Sequence, residues 1–262
     1  ERISDWADRG CSAELYVHAD QHALVYRPGT NNEIISGSDG GVSYASDVTA
    51  AIVPFSNRIK DYNVTQFYAC DLNSSAAANE FLAGAQDNGT QYFTSAGMNS
   101  TAELTGGDGA FCFFDDEDAG DAVTSYVYNN FYFFVNGSYS GASNDNTGRF
   151  INPATFDSDN DIVYSASDED TYYEIDMSGN ITSHSGDFNN TKLTAFSLSP
   201  YTDNLLFVAN NIGDVFKVED ADTGSPTVTE ITGLLPNAYI HNIAIGSTDD
   251  ELLVCYSSYG VT

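Results

Sequence analysis

Positive charge is what this sequence has least of. Lys and Arg total 8 against 38 Asp and Glu, a net charge of −30 at pH 7. A surface of that sign repels phosphate backbones and anionic headgroups, which argues against nucleic acid and membrane surfaces as partners. No apolar run approaches the roughly 18 residues that a membrane helix needs. Cysteine is sparse: Cys11, Cys70, Cys112 and Cys255 form no CxxC pair, which removes zinc-ribbon and thiol-redox readings. There is no Walker loop, Rossmann fingerprint or HExxH, and the chain opens on "ERISDWADRG" without a signal peptide. Met is 2 and Trp is 1, whereas Tyr and Phe number 17 and 16, a bias toward strands. The one helix-like stretch is "NSSAAANEFL".

What is present is a repeat. Apolar residues make up 42 %, enough for a real core. Six segments share one grammar: apolar strand, polar or Pro-containing loop, second apolar strand, tight polar turn. They run from "ALVYRPGTNNEIISGSDGG" to "NIAIGSTDDELLVCYSSYG". Taking Pro28, Asn73, Asp116, Pro153, Pro200 and Ser247 as equivalent gives spacings of 45, 43, 37, 47 and 47 residues, the period of a four-stranded propeller blade. The pattern predicts an all-β fold, a β-propeller of about six repeat units. These lie near 14–60, 61–104, 105–148, 149–191, 192–236 and 237–262. The last unit stops after its second strand, so the stretch reads as part of a larger propeller or longer chain.

Acidic turns recur within the repeat. "GSDGGVSY" carries Asp39, Gly41 and Tyr44; "AQDNGTQY" carries Asp87, Gly89 and Tyr92. Both match the Asp box, Ser-x-Asp-x-Gly-x-x-Trp, at the aspartate and the glycine, with a tyrosine in the Trp place. "NNIGDVF" is a weaker copy with Asn211, Gly213 and Phe216. An aspartate there accepts backbone N–H bonds and locks the hairpin, between strands two and three; the glycine permits the tight backbone and the aromatic packs between blades. This is a folding device rather than a catalytic one.

"VHADQHALVYRP", "IISGSDGGVSYASD", "NVTQFYACDLN", "GAQDNGTQ" and "GGDGAFC" together resemble the secreted bacterial Asp-box (BNR-like) propellers related to xyloglucanase-type glycoside hydrolases and to sortilin-type propellers. The resemblance covers most of residues 15 to 115. It implies a secreted or cell-surface protein with carbohydrate or an extracellular protein as partner. The hydrolase resemblance implies a cleft between two propellers with one catalytic aspartate from each, so this chain supplies half a site. Asp20 and Asp108 are the candidates. A sialidase reading fails, because Arg2, Arg9, Arg27, Arg58 and Arg149 offer no clear three-arginine set.

Two further clusters are candidates. His18, Asp20 and His22 alternate in "HADQH"; on an extended strand all three share one side. That face either contacts a ligand or metal, or plugs the entry to the first blade by hydrogen bonds. Asp157, Asp159 and Asp161 in "DSDND" have the alternate oxygen spacing that suits calcium, without the EF-hand glycine and distal glutamate, and "DDEDAGD" is a second acidic loop. The alternative is a pair of solvated acidic loops. The composition leaves two functional classes: a recognition module, or a glycoside hydrolase completed by chain outside this stretch.

Overall fold

The computed structural model describes residues 4, 16–60, 65–74, 79–97, 99–118 and 120–258. Among these there are 22 strands and no helix. Of the helix-like stretch, residues 75–78 lie outside the described set, and Phe81 and Leu82 open a strand. The chain divides into two compact units, residues 1–64 and 65–262.

The first unit holds one antiparallel sheet, β1 (Gln21–Tyr26), β2 (Ile34–Ser38), β3 (Gly41–Ala45) and β4 (Phe55–Asn57), paired in chain order. Its core is Val17, Ile34, Ala45, Val53 and Phe55. Among the described residues of this unit β1 is exposed throughout, Leu24, Val25 and Tyr26 included.

The second unit holds four more four-stranded sheets and a two-stranded one, all antiparallel in chain order. The second sheet is β5 (Ala69–Leu72), β6 (Phe81–Ala85), β7 (Gly89–Phe93) and β8 (Ala102–Thr105). The third is β9 (Cys112–Phe114), β10 (Ala122–Ser125), β11 (Asn129–Val135) and β12 (Ser138–Asp145). The fourth is β13 (Ala154–Asp157), β14 (Ile162–Ala166), β15 (Thr171–Asp176) and β16 (Ile181–Ser185). The fifth is β17 (Leu193–Leu198), β18 (Leu206–Asn210), β19 (Val215–Glu219) and β20 (Thr227–Glu230), and the sixth β21 (Ile240–Ile245) with β22 (Leu252–Tyr256). This is the sheet architecture of a β-propeller. One repeat marker was misplaced: Pro153 lies before β13, because a strand begins after its proline, and the true counterpart is the 158–161 loop. Centred on Asp159, the neighbouring intervals become 43 and 41 residues.

A single sheet cannot bury both faces, so successive sheets cover one another. Leu82 of the second packs with Cys112, Phe114, Ala122 and Phe134 of the third. Val123, Phe131 and Phe133 of the third meet Ala154, Val163 and Ile175 of the fourth. Between the fourth and fifth, Tyr164 and Tyr172 join Leu193, Phe196, Leu206 and Phe216. The Tyr172 ring stacks on His184, and its hydroxyl donates to the Ala221 carbonyl at 3.0 Å. Ala195, Phe207 and Val215 then meet Ile240 and Ile243 of the sixth. Each fully buried Leu, Ile, Val or Phe among these contributes roughly 1.5–3 kcal/mol. Polar side chains tie sheets as well: Asp71 of β5 accepts the Phe114 N–H of β9 at 2.7 Å.

Candidate functional site

In the first unit the "HADQH" segment is not an extended strand. Asp20 has a left-handed backbone, φ 55°, and β1 starts only at Gln21, so His18, Asp20 and His22 lose the alternation that would put them on one side. The segment instead wraps the Asp39–Gly40 turn. The Asp20 carbonyl accepts the Asp39 N–H, and His22 Nε2 pairs with the Asp39 carboxylate. His18 Nδ1 lies 3.0 Å from the Ala19 carbonyl, and its ring fills the space where Gly40 lacks a side chain. Tyr44 donates its hydroxyl to Glu33, while Arg58 lies over its ring at 5.0 Å. The Glu33 carboxyl is held below the usual range by the Tyr44 hydroxyl and then by Arg27.

One end of the second unit is built by the turns between second and third strands and by the linkers that join sheets. The turns of the second, third and fourth sheets are latched by the linker after their own sheet, and that of the fifth by the linker ahead of it. Gly89 donates to Gly107 at 2.7 Å, Gly109 to Ala85 at 2.8 Å, and Asp87 N–H to the Asp108 carboxylate at 3.0 Å. Asp170 donates to Thr191 at 2.7 Å, and its carboxylate accepts the N–H of Phe188 at 2.6 Å. Asn211 donates to Lys192 at 3.0 Å. The Asp87 and Asp108 loops are thus brought together, with Asp108 serving the turn. At Gly89, φ 63°, an added Cβ would collide with the Thr105 carbonyl. Tyr92 packs edge-on against Phe114 of the next sheet at 6.3 Å. In the weaker copy, Asn210 rather than Asn211 locks the hairpin: its Oδ1 accepts the N–H groups of Ile212, Gly213 and Asp214 at 3.1, 3.0 and 2.8 Å.

Every one of these four turns needs a left-handed residue: Asp87 (φ 59°), Tyr128 (φ 60°), Asp170 (φ 62°) and Gly213 (φ 110°). Asp and Gly adopt that backbone readily; a bulky aromatic does not. Tyr128 is held there because its N–H donates to the carbonyls of Arg149 and Phe150 at 3.0 and 3.2 Å. Its ring is 36 % exposed and meets the 42 % exposed Phe150 edge-on at 6.5 Å. Arg149, next to Phe150 in the chain, spans the linkers. Nη2 donates to the Leu193 carbonyl at 3.1 Å, Nη1 to the Tyr239 hydroxyl, and the guanidinium lies over the Tyr239 ring at 5.4 Å. Two of its five N–H donors are engaged in these bonds, which leaves capacity for a ligand.

A buried amide network carries this corner. Asn129 Oδ1 accepts from Asn152 and Ser165, both at 2.7 Å; its Nδ2 donates to the Ala166 carbonyl at 2.8 Å and to Thr147 Oγ1 at 3.1 Å. Asn152 also accepts the Arg149 N–H at 3.0 Å. The sequence signal for this site was the scarcity of cations, which makes Arg149 conspicuous, and the "YVYNN" turn.

At the opposite end of the strands the two acidic loops meet. Asp116 N–H donates to Ser158 Oγ at 3.1 Å. Asp157, Asp159 and Asp161 do not bring their oxygens together as the alternate spacing suggested, since Asp157 is the last residue of β13 and closes its own loop. It accepts the Asp159 N–H and the Asn160 amide, each at 3.1 Å, and burial pushes its carboxyl up. Asp161 turns instead toward the other loop. Its carboxyl is pushed up to about 6 by burial first, then by contact with Asp115 and the charges of Asp115, Asp118 and Asp121.

No family profile matches the sequence, and no curated protein is significantly similar to it. Solved structures share its fold. One is a catalytically inactive virginiamycin B lyase from Staphylococcus aureus with quinupristin, at TM-score 0.58, 13 % identity, covering 90 % of this chain and 78 % of that one. Another is a streptogramin B lyase at TM-score 0.58 and 11 % identity, covering 90 % of this chain and 76 % of that one. The likeness shows the β-propeller fold.

Proposed function

We propose that the chain is an extracellular recognition module that binds carbohydrate at the linker end of its second unit. The observation that carries this reading is Tyr128. A tyrosine in left-handed backbone, exposed and paired with Phe150, costs on the order of 1–2 kcal/mol relative to glycine. Such strain concentrates at ligand-binding positions. The two rings offer apolar faces to a sugar, and Arg149, next to Phe150 in the chain, keeps N–H donors for hydroxyl groups. A neutral glycan suits a chain of net charge −30 better than a polyanion does. The acidic surface also suits a protein working in salt outside the cell.

The alternative is a xyloglucanase-like hydrolase completed by further chain. Two carboxylates must flank the scissile bond in that chemistry. Asp108 is engaged with the Asp87 N–H, which weighs against its acting as acid or nucleophile.

The test is a neutral-glycan array followed by titration calorimetry on the wild-type chain, Tyr128→Gly and Phe150→Ala. Tyr128→Gly relieves the backbone, so it should keep or raise the melting temperature while weakening binding at least about tenfold. Unchanged affinity in both variants, or no glycan bound by the wild type, would overturn the reading.

A further inference from the structure

We propose that Asp115 and Asp161 hold a divalent cation of calcium type between the first loops of the third and fourth sheets. Asp115 follows β9 and is buried, with 3 % of its surface exposed. Its Oδ1 is used locally, accepting the N–H groups of Glu117 and Asp118 at 2.8 and 2.9 Å. Its Oδ2 is buried and has no hydrogen-bond partner. A buried carboxylate oxygen without a donor is costly, and native structures rarely leave one unexplained.

The group that faces Asp115 makes the cost greater. The Asp116 N–H bond to Ser158 Oγ at 3.1 Å holds the two loops together; Asp161, left-handed at φ 58°, has its carboxyl pushed up by burial and then by Asp115, with Asp118 and Asp121 adding negative charge. The ion pairs among the described residues, formed by His22, Arg27, His184 and Lys217, all lie elsewhere. Oxygen ligands from two carboxylates, with waters completing the shell, are the environment that calcium takes. The two loops come from different sheets, so a cation there would fasten neighbouring blades at the end opposite the aromatic pair. The ligands also differ from the single-loop set that sequence spacing suggests.

The experiment titrates calcium chloride into the wild-type chain, Asp161→Asn and Asp168→Asn, with sodium chloride at matched ionic strength as reference. Asp168 is exposed and lies in the turn between β14 and β15, at the other end of the strands, and it controls for diffuse attraction to an acidic surface. The wild type and Asp168→Asn should show saturable one-to-one heat and a melting temperature several degrees above the sodium reference. Asp161→Asn should lose at least tenfold in affinity and most of that calcium-specific shift. Its melting temperature without calcium should rise, since an amide can donate to Asp115. Equal shifts in the two salts, or a full calcium response in Asp161→Asn, would overturn the proposal. Should that variant fail to fold, the wild-type titration decides: without one-to-one saturation the site does not exist.

Discussion

Asn152 Nδ2 and Asn129 Oδ1 meet at 2.7 Å, and this bond ties the linker ahead of the fourth sheet to the first residue of β11. Asn129 has no exposed surface, and four partners surround its amide. Asn129→Ala strands those partners in a dry interior. We expect it to cost about 3 kcal/mol in urea unfolding. Asn152→Ala, which leaves Asn129 three partners, should cost less.

Gly84 and Gly141 make a contrasting pair. A Cβ on Gly84 would lie under 3.0 Å from the Ala110 backbone of the adjoining linker, whereas one on Gly141 meets nothing within 4 Å. Gly84→Ala should destabilise by about 3 kcal/mol because backbone must move. Gly141→Ala should be neutral or stabilising by a few tenths of a kcal/mol through the unfolded chain. Thermal melts of the two variants check this.

The described cysteines, Cys70, Cys112 and Cys255, are free thiols, and they should react very differently. Burial, then the negative charge of Asp71, pushes the Cys112 thiol up to about 12. At pH ~8 that leaves roughly one molecule in ten thousand as thiolate. Alkylation mapped by mass spectrometry should label Cys70 and Cys255 rapidly and Cys112 only on unfolding. Labelling of Cys112 at a rate similar to Cys70 in the folded protein would contradict its packing against β5.

Asp71 gives a pH dependence of definite sign. Burial pushes its carboxyl above the ordinary value, against the lowering effect of the Phe114 and Leu72 N–H groups. A folded-state value above the unfolded one means the contribution is fully present below the unfolded pKa and is lost as pH rises through the folded one. Asp71→Asn keeps an acceptor for Phe114 and removes the charge. Its melting temperature should therefore gain on wild type from pH ~4 to ~7. A constant difference across that range would show that Asp71 titrates as it does in the unfolded chain.

Strand, loop, strand and turn were legible because alternation of apolar and polar residues is local information. "IVYSA" and "LFVAN" become β14 and β18, buried throughout. The misplaced marker at Pro153 has an equally local cause: it was matched to the loop prolines Pro28 and Pro200, yet it closes the linker whose Arg149 and Phe150 carbonyls hold Tyr128. The candidate site was hidden for a different reason. Tyr128, Arg149 and Tyr239 lie far apart in sequence and meet only when sheets stack, so no spacing rule joins them. The recurring acidic turn was visible, but its reason was not. The left-handed residue differs from copy to copy, Gly41 in the first turn, Asp87 and Gly89 in the second and Gly213 in the weaker one, so backbone conformation alone does not select the aspartate.

Tyr164 and Tyr172 lie wholly inside the packing between the fourth and fifth sheets, rings 6.1 Å apart. Burial drives both phenols well above the ordinary range, so forming either phenolate requires opening that packing. Titrated into alkali, the phenolate absorbance of the surface tyrosines should appear first and that of these two only with loss of structure. The chain thereby carries its own optical gauge of blade separation, readable without a dye or an engineered label.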